Sequence, residues 1–127
     1  QPNLGPGIRD RFAMAAAITA EETEAANAVR DRVRKRVLAL AAPGTILCLP
    51  SAPVIAPPLD AGAEDLEFFR SNTMALTCIS GHTGLPQIAI PAANVNGCPI
   101  GLSFIGWPGG DEALLELAVA LQSFCIR

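Results

Sequence analysis

Gln87-Ile88-Ala89-Ile90-Pro91-Ala92-Ala93-Asn94-Val95-Asn96-Gly97-Cys98-Pro99-Ile100-Gly101-Leu102-Ser103-Phe104-Ile105 is the stretch whose reading decides the fold. Gln87 to Ala92 and Ile100 to Ile105 are apolar runs of strand length. Asn96-Gly97 between them suits the two left-handed residues of a tight turn, so the stretch predicts an antiparallel hairpin. Downstream, Asp111 reads as the cap of a last helix whose Leu114, Leu115, Ala118 and Leu121 face a core. Upstream, Ala63 to about Ser80 reads as a helix with Leu66, Phe69, Thr73 and Leu76 on one side, stopped by Gly81 and Gly84. Between Pro50 and Pro58 stand Pro50, Pro53, Pro57 and Pro58, which force an irregular, extended course. Thr45-Ile46-Leu47-Cys48-Leu49 is short, apolar and ended by a proline, the pattern of a buried strand.

The first third of the chain reads as two helices. Pro6 to Ala17 makes a short one, with Pro6 near its first position. Thr19 and Glu22 form a capping box for the second, with acidic residues crowding its start, Arg34, Lys35 and Arg36 towards its end, and Pro43-Gly44 stopping it. Val29, Val33 and Val37 recur every four residues as its buried stripe.

Composition limits what such a chain does. Of 127 residues, 50% are hydrophobic, enough to line a core, while 11 Gly and 11 Pro point to short elements and many turns. The net charge of −3 lacks the basic excess of a nucleic-acid-binding domain. Apolar runs such as Leu38–Ala42 are far shorter than a membrane span, and the opening residues show no signal-peptide pattern. Cys48, Cys78, Cys98 and Cys125 are widely spaced. Apolar neighbours around Cys48, Cys78 and Cys125 favour buried, reduced thiols and a cytoplasmic protein. Three strands among helices leave sheet edges and faces uncovered, which implies further chain or a partner.

Few residues are suited to chemistry. The chain has one histidine, His82, one lysine, Lys35, and no tyrosine. Cys78 and His82, four apart, would imitate a thiol–imidazole pair on a helix, but nothing orients the imidazole and a buried structural thiol explains Cys78 better. Zinc binding by Cys78, His82 and Cys98 lacks any metal-site spacing. Lys35 lies in Arg30-Asp31-Arg32-Val33-Arg34-Lys35-Arg36, which reads as a solvated helix face more readily than as a base or a phosphate patch. Gly106-Trp107-Pro108-Gly109-Gly110-Asp111 looks like a phosphate loop, yet Asp111 and Glu112 would repel a phosphate, and a turn with a cap fits better. Trp107, just beyond a strand end, fits a pocket wall and a core filler equally well.

Leu49-Pro50-Ser51-Ala52-Pro53, Gly84-Leu85-Pro86-Gln87-Ile88-Ala89-Ile90-Pro91, Pro99-Ile100-Gly101-Leu102-Ser103-Phe104-Ile105-Gly106 and Asp111-Glu112-Ala113-Leu114-Leu115, in this order, resemble the end of amidase-signature enzymes. The resemblance runs over about Thr19 to Gln122. It implies an α/β/α fold around a large mixed sheet, and hydrolysis of a small carboxamide to a carboxylic acid and ammonia with no metal or organic cofactor. In that family two serines and a lysine do the chemistry, in an amino-terminal part and a Gly/Ser-rich signature that have no counterpart here. No catalytic role therefore passes to Ser51, Ser80 or Ser103.

The chain, residues 1–127, is thus expected to be a carboxy-terminal segment of an α/β amidase domain. It would complete the sheet and supply pocket wall, with Ile79, His82 and Trp107 as substrate-binding candidates. Its expected partners are a small amide and an amino-terminal segment or another chain, with neither nucleic acid nor membrane. The alternative is a non-catalytic module that folds on a partner, and a cysteine hydrolase built on Cys78 stands last.

Overall fold

The computed structural model describes residues 2–124. The chain divides into two compact units, Gln1–Lys35 and Arg36–Arg127. The first contains helix α1 (Pro6–Ala16) and most of α2 (Ala20–Leu40). The second runs from the end of α2 through β1 (Leu47–Pro50), α3 (Ala63–Thr83), β2 (Gln87–Val95), β3 (Cys98–Ile105) and α4 (Asp111–Leu121).

In the first unit the start of α2 is held by the capping box. The Glu22 carboxylate accepts the Thr19 N–H at 2.8 Å, and Thr19 Oγ1 accepts the Glu22 N–H at 3.1 Å. Two of the helix's unsatisfied donors are thereby paired locally. These bonds, the Thr19 backbone first and its hydroxyl second, hold the Glu22 carboxyl below its ordinary range. A lowered folded-state pKa stabilises the helix above the unfolded-state value, and that contribution is lost as pH falls through the lowered one. Thr19→Ala should accordingly speed amide exchange in the first turn of α2 by a factor of about five, the size of a typical cap. Fraying of the wild-type turn should grow only in acid. Exchange measured by NMR across pH checks both.

The sheet of the second unit is the three-stranded order β1-β3-β2, antiparallel throughout. Its turn is the one expected: Asn96 at φ 52° and Gly97 at φ 81° form a two-residue connection that only small or amide residues adopt readily. The strands run further than the sequence suggested, β2 reaching Val95, because a bulge between Pro91 and Ala93 absorbs the proline. Pro99 is tolerated in the central strand because β1 pairs only with residues 102–105, leaving the far end of β3 unpaired on that side.

Register sorts the side chains. Leu47, Ile105 and Gln87 stand abreast, as do Leu49, Ser103 and Ala89. On this face Ile105 packs with Ala41 and Leu85, joined by Val37 and Leu38 from α2, Ile79 from α3, and Leu47 and Leu49. Ile88, Ile90, Leu102 and Phe104 occupy the opposite face, where α4 lies against β2 and its Leu114 is buried. Helix thus covers part of each face, an α/β/α layering.

Several expectations are corrected. The strand predicted at Thr45–Leu49 is Leu47–Pro50, and it is a half-exposed edge strand rather than a buried one; β2 forms the other edge. Val29 and Val33 are exposed, and only Val37 of the valine stripe is half-buried, where it packs against the Ala41–Leu85–Ile105 cluster. Gly81 does not end α3. The helix continues to Thr83, whose hydroxyl donates to the Ile79 carbonyl at 2.7 Å, and closes when Gly84 N–H bonds Ser80 O at 2.8 Å. Asp111 does not cap α4; Gly110 holds that position without a side-chain bond, and Leu115 is exposed. Cys48 is exposed rather than buried.

Buried apolar side chains among the described residues are few: Ala41, Leu85, Ile105 and Leu114. Many more large ones stand exposed, including Phe12, Phe68, Met74, Leu115 and Val119.

Candidate functional site

Ile79, His82 and Trp107 line neither of the two apolar clefts described below. Ile79 belongs to the packed cluster with Ile105 and Leu85. It anchors the last turn of α3, and His82, three residues on, rides on that turn with its ring exposed. Trp107 follows β3 after Gly106. Its indole lies so close to Gly110 that an added Cβ there would stand 3.0 Å from the ring, while Gly110 N–H bonds Trp107 O at 2.9 Å. This contact explains why a glycine, not a polar cap, begins α4. Half-buried Trp107 therefore braces the turn between the sheet and α4.

The hydroxyls and thiols are engaged structurally. Ser51 and Ser103 share a hydrogen bond of 2.9 Å between the loop after β1 and the buried centre of β3. Ser80 Oγ donates to Gln87 Oε1 at 2.6 Å, tying α3 to β2. The Cys78 thiol points at the Ala75 carbonyl of its own helix, 3.7 Å away. Cys78 and His82 do lie one turn apart on the continuous α3, but the thiol is aimed along the helix. Lys35 is exposed on α2. Ser51, Ser80, Ser103 and Cys78 thus bond to another hydroxyl, a side-chain amide or a backbone carbonyl, none of which is a base of the kind that activates a nucleophile. Cys48, Cys78 and Cys98 are free thiols, and Cys125 lies outside the described residues.

Sequence reasoning missed an open cleft of about 770 Å³. Residues 54–62, Asp65, Phe68 and Phe69 of α3, and Cys98 line it. A second hollow, about 330 Å³, lies between Ile90 and Pro91 of β2 and Leu115, Ala118 and Val119 of α4. Both are apolar and open. The proline cluster was the only local sign of the first: loop and helix wall are adjacent in sequence, but Cys98 joins them from the start of β3. No helix among the described residues is long and apolar enough to cross a membrane.

The sequence matches the Amidase family over residues 2–115. The chain belongs to the amidase family. Amidase 1 of Oryza sativa subsp. japonica is 34% identical over 127 aligned residues, which cover 99% of this chain and 29% of that protein. Outer envelope protein 64, chloroplastic, of Arabidopsis thaliana is 32% identical, covering 91% of this chain and 20% of that one. Among solved structures, the crystal structure of an amidase superimposes with a TM-score of 0.80 at 28% identity, over 94% of this chain and 29% of the other. The chain thus spans less than a third of the length of these relatives. Its α/β architecture is the amidase one.

Proposed function

We propose that residues 1–127 form the carboxy-terminal portion of an amidase domain that hydrolyses a small carboxamide to a carboxylic acid and ammonia. This portion supplies sheet and pocket wall, while the nucleophile and base come from the rest of the domain. The observation that carries the reading is the fit of nearly the whole chain, at TM-score 0.80, onto part of an amidase more than three times as long. The bonding of Ser51, Ser80, Ser103 and Cys78 supports the division of labour, because each is tied to a structural partner.

Within that portion His82 and Trp107 face substrate in this reading, and Ile79 acts from beneath by fixing the turn that carries His82. No cofactor is invoked. The free thiols at Cys48, Cys78 and Cys98 support a cytoplasmic setting. A non-catalytic module remains the second reading. It is favoured by the 32% identity to a protein named for the chloroplast outer envelope rather than for an activity. The test is ammonia release from a panel of small amides, by this chain alone and by this chain co-expressed with the portion of rice Amidase 1 that it does not match. Turnover confined to the pair supports the amidase reading, and an assembled but inert pair supports the module.

A further inference from the structure

We infer that the cleft between the proline-rich loop 54–62 and the first half of α3 seats a polypeptide segment that carries apolar side chains beside a lysine or arginine. The segment comes from the part of the amidase fold that this chain does not span, so the inference rests on the reading above.

The wall chemistry points to such an occupant. Leu59 is fully exposed and Phe68 is 60% exposed, on the two sides of one apolar hollow. Contiguous exposed apolar surface of this kind marks a contact site. The hollow, about 770 Å³, has room for several side chains. Pro57 and Pro58 restrict the loop, so little ordering is required when the cleft fills.

Charge adds direction. Asp60 and Asp65 are the ionisable carboxylates of the lining, and no lysine or arginine lines it. With no cationic side chain in the lining, neither aspartate has a counter-ion within the cleft. Asp65 is favoured where it stands, in the first turn of α3, by the helix dipole. A cation brought by the occupant would complement both carboxylates. A small ligand suits the site less well, because it would leave the tip of the loop at Leu59 uncovered.

Cys98 is a built-in reporter, a half-buried free thiol lining the cleft. The experiment co-expresses this chain with the unmatched portion of rice Amidase 1 and follows alkylation by N-ethylmaleimide through peptide masses. Assembly should slow modification of Cys98 by at least about tenfold relative to the isolated chain, and Phe68→Asp should reverse most of that protection. Asp65→Asn, which removes the charge and keeps the side chain's size, should weaken co-purification. If the pair assembles while Cys98 reacts as fast as in the isolated chain, the docking inference alone is overturned. If phenethylamine at millimolar concentration protects Cys98 in the isolated chain as fully as assembly does, the cleft is a small-molecule site and the inference falls. If the two portions never assemble, the amidase-portion reading fails and takes the inference with it.

Discussion

Replacing Ile105 with alanine is expected to cost about 2–5 kcal/mol, the range for emptying a fully buried aliphatic position. Ile105 is 0% exposed, stands between Leu47 and Gln87 in the central strand, and closes the cluster with Ala41 and Leu85. So few other side chains are buried that its neighbours have little means of collapsing into the space. A small domain holds only about 5–15 kcal/mol in all, so this one change should remove much of the cooperative transition. Leu115→Ala is the internal comparison. That side chain is 59% exposed, and its loss should shift the urea midpoint little, within about 0.5 kcal/mol. Equal effects at the two positions would mean that Ile105 is not the centre of the core.

The second large effect concerns turnover. Enzymes accelerate their reactions by roughly a millionfold or more, and a chain without an activated nucleophile supplies almost none of that. Small amides incubated with the isolated chain should release ammonia at the uncatalysed rate. Here Ser103 is buried and shares its bond with Ser51, Ser80 donates to Gln87, and Lys35 stands in solvent on α2. Assembly with the unmatched portion of an amidase should raise the rate by about six orders of magnitude if it completes the site. Turnover by the isolated chain that disappears on Ser80→Ala, Cys78→Ala or Lys35→Ala would contradict this account.

What the sequence disclosed depended on the range of the interaction responsible. The hairpin turn and the capping box are decided within four residues. Asn96-Gly97 and Thr19…Glu22 accordingly stand where the pattern put them, with the φ angles and hydrogen bonds it implied. Gly81 misled because a helical glycine costs only about 1 kcal/mol against alanine, less than the packing of Ile79 on one side and the buried Thr83 on the other. Periodicity identified Val29, Val33 and Leu115 as members of apolar faces, but it carries no information on whether a neighbour lies over them. All three are exposed. The candidate site was the least legible part. Trp107 was equally a pocket wall or a filler by sequence, and only its approach to Gly110 reveals the bracing contact. The large cleft joins residues 54–62 to Cys98, a pairing that no local pattern contains.

Exposed apolar faces on α1, α3 and α4, together with two free sheet edges, lead to the central claim that this amidase portion requires further polypeptide to be covered. Sedimentation equilibrium of the isolated chain at micromolar concentration tests it most directly. The account predicts an apparent mass above 13.2 kDa that rises with concentration, accompanied by binding of an apolar dye. A monomer of 13.2 kDa that melts cooperatively and binds no dye would contradict it.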